Sequence, residues 1–139
     1  MRRVKYSAEE VMTRLKQLRV VLRRAWQRDT AFDPERWTRR NPAQGQCACS
    51  VLVAQDCIGG RIFGARTSVG KHFWNYAPVL GEHGEIDLTD SQFDGLSREV
   101  RFGPPQTVGR ASLLRIDHVR RRYRLLRKRV KTIAPKLFE

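Results

Sequence analysis

The chain has 139 residues, 28 of them basic and 14 acidic, for a formal net charge of +14. With 40% hydrophobic and 30% charged residues it reads as globular rather than disordered, and its length suits one core, a single domain over 1–139. No apolar run approaches the roughly 18–20 residues of a membrane span, and three cysteines within residues 47–57 make a poor disulfide framework that suits a reducing, cytoplasmic setting.

The basic N-terminus, MRRVKYSAEEVM, is followed by no apolar h-region, so no signal peptide is expected. Ser7 and Glu10 have the spacing of a capping box. Val11, Leu15, Leu18, Leu22, Ala25 and Trp26 then recur at helical spacing, which predicts a basic amphipathic helix over 7–28. Asp33-Pro34 starts a turn or short helix that includes Trp37, and Asn41-Pro42 breaks the chain again.

The run CACSVLVAQDC, 47–57, is rich enough in valine for a buried strand. The Gly45-Gln46 entry and the Gly59-Gly60 stop favour a buried helix. RIFGARTSV, HFWNYAPV and EIDLT follow, rich in β-branched or aromatic residues, and read as antiparallel strands joined by tight turns. Ser91 to Val100 carries no decisive pattern, and Gly103-Pro104-Pro105 is a loop. Leu113, Leu114, Ile116, Val119, Tyr123, Leu126 and Val130 mark one broken or two consecutive basic helices over 110–133, with Asp117 a candidate cap. The fold class is therefore α+β.

Charge is unevenly spread. Residues 1–40 carry 12 basic and 5 acidic side chains, 41–97 carry 3 and 6, and 98–139 carry 13 and 3. Two basic flanks bracket a slightly acidic middle that holds the cysteines.

In that middle stand Cys47, His72 and Asp87. A thiol is a good nucleophile as thiolate, which an adjacent imidazole and a helix N-terminus both favour. The imidazole in turn needs an orienting group, commonly Asp or Asn. Cys47 would open a helix, His72 would lie on one strand, and Asp87 would lie on the next, facing away from Ile86 and Leu88. Gln46 or the backbone N–H of Cys47 would meet a developing oxyanion. Residue types alone leave two readings open for Cys47, a nucleophile or a small buried side chain.

GQCACSVLVAQDCIGG, HFWN and GEIDLTDSQF, in this order, resemble the YunG-like family of small bacterial proteins. The resemblance covers about residues 37–126, extending more weakly to the Arg-Tyr-x-x-Leu of Arg122 to Leu125–Leu126, where the spacing is imperfect. Cys49 stands where a small or polar residue is expected, and Cys57 where an aromatic is expected. The Cys, His, Asp order is also similar to that of transglutaminase-like members of the papain-like superfamily. The resemblance implies a small papain-like domain with Cys47 as nucleophile, His72 as base and Asp87 as orienter. It matches Gln46, Trp74 and Asn75 to positioning residues around them. The implied activity is a thiol-dependent hydrolase or acyltransferase acting on an amide or peptide carbonyl, with no cofactor.

Two other readings compete. Cys47, Cys49, Cys57, His72 and His83 supply enough ligands for zinc on paper, but their spacing fits neither a ribbon nor a finger, and no metal is expected. His83 reads as a turn residue and His118 as a surface residue at a helix start. RRRYRLLRKRVK, 120–131, is a basic amphipathic helix whose Arg120, Arg121, Arg124, Arg127 and Lys128 would face nucleic acid or an acidic protein, or simply solvent. On that reading the chain is a non-catalytic binding protein. Trp74 shares the strand face of His72 and is expected to pack beside the site.

Overall fold

The computed structural model describes residues 6–96 and 99–139. The first five residues of the basic N-terminus, and Ser97-Arg98 within the stretch without a decisive pattern, lie outside them. Helix α1 runs Ala8–Ala25, with Ser7 and Glu10 closing the capping box reciprocally. It ends three residues short of the sequence boundary, because Trp26 turns to extended backbone and a 3-10 turn, Arg28–Thr30, follows. The cysteine-bearing run is a helix, α2, Cys47–Ile58. It is apolar nearly all round, as a helix packed on several sides must be. It touches α1, the C-terminal helix α4 (Asp117–Ile133) and strand β2 (Gly70–Tyr76).

Glycines set both ends of α2. Gly45 has φ +70, and a Cβ there would lie 2.8 Å from the Phe32 backbone nitrogen. Past the C-terminal end, Gly60 has φ +80, and a Cβ would run into the Tyr76 carbonyl oxygen. Only glycine fits either place without strain. Between them Cys49, Leu52, Val53, Ala54 and Cys57 are fully buried and join Leu18, Leu22, Leu126 and Val130 in one core. Each large apolar side chain so buried contributes roughly 1.5–3 kcal/mol.

The sheet has four antiparallel strands in the order β3-β2-β1-β4, with β1 at Arg61–Thr67, β3 at Glu85–Ile86 and β4 at Gln106–Val108. Strand β4 follows directly on the Gly103-Pro104-Pro105 loop, in residues to which the sequence pattern assigns no element. It has three residues, and its pairing with β1 comes from across the chain. The expected strand EIDLT is cut to two residues, because Asp87 leaves the ladder and accepts from the backbone N–H and the hydroxyl of Thr89. The basic C-terminal segment divides into α3, Arg110–Leu114, and α4. Asp117 is not the cap of α4: Ile116 holds that position without a side-chain bond, and Asp117 pairs one turn on with Arg120. Among the described residues no helix is long and apolar enough to cross a membrane.

Candidate functional site

Strands β2 and β3 pair Asn75 with Ile86 and Tyr76 with Glu85. Continued by one residue, that register sets Asp87 beside Trp74, and His72 is the next residue along the same face of β2. Such diagonal neighbours lie within reach of long side chains. The Asp87 Oδ2 lies 2.6 Å from His72 Nε2, while its other oxygen is held by Thr89. His72 is buried, and its ring is walled by Trp74, Phe93 and Phe102 at centroid distances of 6.1, 4.9 and 5.8 Å.

Burial alone would lower the His72 pKa. The hydrogen bond and charge of Asp87, helped by the nearby Cys47, overcome that and hold it up at about 9. With Nε2 committed to Asp87, Nδ1 is the ring nitrogen left to exchange a proton with Cys47. Gln92 also addresses Nδ1, its Nε2 lying 3.3 Å away, and the same amide donates to the Thr89 hydroxyl at 2.9 Å.

Cys47 is half-buried at the head of α2. Gln46 makes no side-chain cap there, the first turn has no acidic residue, and the N–H groups of Cys47 and Ala48 meet no backbone acceptor among the described residues. These donors suit a developing negative charge. Cys47 opens onto a cleft of about 500 Å³, shared with Gln92, Phe73, Lys71, His118 and Arg122.

The other cysteines are unlike it. Cys49 donates to the Thr30 carbonyl inside the core, and burial pushes its thiol up to about 12. Burial does the same to Cys57. Among the described residues no three His, Cys, Asp or Glu side chains gather as a metal would need.

Two residues read as positioning groups lie elsewhere. Gln46 is fully buried; its Nε2 donates to the Gln27 carbonyl, and its Oε1 accepts from the Cys49 thiol. Its side chain braces the entry to α2 and is not available to an oxyanion. Asn75 is one residue out of phase with His72 and Trp74, so it faces the other way and donates to the Val51 carbonyl of α2. Trp74 is beside the imidazole and donates to Glu85 at 3.3 Å. On α4, Arg120 pairs with Asp117 and Arg127 with Asp56, whereas Arg121, Arg124 and Lys128 are exposed with no acidic partner among the described residues.

Three residues of the site escape a reading by residue type: Gln92, Arg122 and His118. Gln92 stands in the quoted GEIDLTDSQF stretch and Arg122 in the Arg-Tyr match, so a signal existed for both. His118 is exposed, as expected of a helix start, but it lines the cleft.

A family model described as YunG protein matches residues 14–134. A protein from Bacillus subtilis (strain 168), described as "Uncharacterized protein YunG", is 34% identical over 79 residues, which are 57% of this chain and 63% of the relative's length. No solved structure matches the chain.

Proposed function

This chain belongs to the YunG family, and from that premise and the geometry around Cys47 we propose that it is a thiol enzyme acting on an amide or peptide carbonyl. One observation carries the reading. A buried imidazole is held by a carboxylate at 2.6 Å and feels the one cysteine that opens a helix onto a cleft. The succession of cysteine on a helix, histidine on a strand and aspartate beyond the next supports a transglutaminase-like, papain-like arrangement. Three free cysteines fit a reducing compartment such as the cytoplasm.

In this mechanism the Cys47 thiol passes its proton to His72 Nδ1, and its Sγ attacks the carbonyl carbon. The oxyanion is met by the N–H groups of Cys47 and Ala48 at the start of α2. His72 Nδ1 gives its proton to the leaving amine, and a thioester remains on Cys47. Water or an acceptor amine then attacks, His72 Nδ1 takes the proton, and the thiol is restored. Asp87 keeps the imidazole oriented and stabilises the imidazolium without being protonated itself. Hydrolysis, deamidation and acyl transfer differ here only in the leaving group and the acceptor. Mass mapping of the adduct after brief iodoacetamide treatment tests the assignment: label on Cys47 is expected, and label confined to Cys57 or absent overturns it.

A second reading is favoured by the exposed Arg121, Arg124 and Lys128 on α4, which share a basic flank with Arg24 across the groove lined by Lys128 and Arg129. It makes this face a contact for nucleic acid or an acidic protein. Binding to oligonucleotides should then fall steeply with salt. Absence of binding at low salt removes the nucleic-acid form of this reading.

A further inference from the structure

The cleft beside Cys47 carries a positive charge that the chain does not neutralise. Arg122 projects from α4 with only 8% of its surface exposed. Its Nε donates to the His118 carbonyl, its Nη1 to the carbonyls of Thr30 and Gly45, and its Nη2 to His118 Nδ1. Every one of these acceptors is neutral, and no carboxylate pairs with Arg122 among the described residues. His118 accepts at Nδ1, so it is neutral with its proton on Nε2, and burial and the charges of Arg122 and Arg121 lower its pKa further.

The other charged groups of the cleft are Asp33, Arg36 and Lys71. Asp33 and Arg36 lie 3.9 Å apart and largely cancel. Lys71 is exposed at the rim and pairs with no acid among the described residues, leaning instead on the Phe73 ring at 5.4 Å. The cleft therefore holds two uncompensated cations, one of them buried, beside the uncapped start of α2. A buried cation with only dipoles around it is costly, and an anion arriving from outside lowers that cost.

We propose that the cleft selects a substrate bearing a carboxylate close to the scissile carbonyl, read by Arg122 and Lys71 while Cys47 attacks. This rests on the thiol-enzyme reading and narrows its substrate class. The guanidinium charge suits a carboxylate, and one N–H of Arg122 Nη2 is not committed to the four protein acceptors. The neutral His118 adds an Nε2–H donor without repelling it.

The test compares two electrophiles of nearly equal size, iodoacetate and iodoacetamide, in their rates of reaction at Cys47 of the intact protein. The ratio of the two rates is referred to that of β-mercaptoethanol under the same conditions. The expected ratio is about tenfold or more in favour of iodoacetate relative to the free thiol, from the cations that face the cleft. His72 contributes to that preference, so the deciding variant keeps it. Lys71→Gln should lower the ratio about threefold, as expected for the loss of one screened charge, the ratio cancelling any change in the thiolate fraction common to both reagents. Arg122→Met should lower it further. Should that variant unfold, because Arg122 also ties Thr30 and Gly45 to α4, Lys71→Gln still decides. A ratio equal to that of the free thiol, or one that Lys71→Gln does not move, overturns the carboxylate proposal and leaves the thiol enzyme standing. A Cys47 inert to both reagents overturns the two together.

Discussion

The two ends of α2 put the same residue types to opposite use. At the C-terminal end Asp56 accepts from Tyr123 at 2.6 Å and pairs with Arg110 at 2.8 Å and Arg127 at 3.4 Å, while Arg14 donates to the carbonyl of the buried Cys57. The charges gathered on Asp56 have countercharges within the chain. At the N-terminal end the cap is missing, the thiol is half-exposed, and the buried guanidinium of the cleft, Arg122, has only neutral partners. Both ends lie on one rigid helix, so the difference is not one of local order. A group that serves only the fold finds its partner inside the fold, and a group left over points to a partner from outside.

The sharpest way to break this contrast is to measure the cysteines themselves. Cys47 should be alkylated at neutral pH at least about 100-fold faster than Cys49 or Cys57, whose thiols burial holds protonated, at about 12, and out of reach. Mass mapping over a time course gives the three rates. Comparable rates would make the two ends chemically alike and remove the reason to call either a site. The next largest effect is on Asp87→Asn. Without the carboxylate the imidazolium is no longer stabilised, and the Cys47 alkylation rate at neutral pH should fall about tenfold or more while the protein stays folded. A melting curve run beside the rate separates lost chemistry from lost structure. An unchanged rate would leave the His72–Asp87 pair as a purely structural contact.

The C-terminal end of α2 was harder to read from sequence than the N-terminal end. A twelve-residue apolar run between glycines identifies the helix, and Cys47, His72 and Asp87 stand out because their chemistry is scarce in the chain. The neighbours that decide what those groups do come from far away. Arg122 is 75 residues from Cys47 and reads as one more arginine in a basic helix, because periodicity marks the apolar face of α4 and not which charge turns inward. Gln46 and Asn75 read as site residues because they match the motifs around Cys47 and His72, yet helix and strand geometry turns adjacent side chains to different faces. The partners that hold Asp56 do not show in sequence, since Arg110, Tyr123 and Arg127 all come from beyond the sheet.

A smaller effect follows from the His72–Asp87 pair and bears on whether it is charged. The folded His72 pKa is raised from 6.5 to about 9. Its protonation therefore adds stability that is fully present below about pH 6.5 and is lost as pH rises through about 9. Taken as a full shift of a buried group this is at most about 3 kcal/mol, less whatever Asp87 regains when it faces water. Urea midpoints of the parent and of Asp87→Asn should thus converge between pH 6.5 and 9.5. A stability difference constant over that range would mean that His72 is neutral in the fold, and the ion pair would have to be dropped.

The smallest expected effect tests the other end of the helix. Asp56→Ala removes the acceptor of Tyr123 and the countercharge of Arg110 and Arg127 at once. Those partners are partly exposed, with side-chain accessibilities of 32% for Arg110 and 39% for Arg127, so both arginines can turn to water when the carboxylate goes. The cost is therefore below the 3–5 kcal/mol typical of breaking a fully buried pair, and about 2 kcal/mol is expected. Tyr123 contributes to it, because its hydroxyl, held un-ionised by burial and by Asp56, loses a bond at a site only 9% exposed. The Cys47 alkylation rate of the folded variant should not change, since neither Asp56 nor its partners Arg110, Tyr123 and Arg127 line the cleft. A drop in melting temperature with an unaltered rate keeps the two ends of α2 independent. A fall in the rate equal to that of Asp87→Asn would show that the charge cluster at Cys57 reaches the thiol at Cys47, and the division of the helix into a structural and a reactive end would be lost.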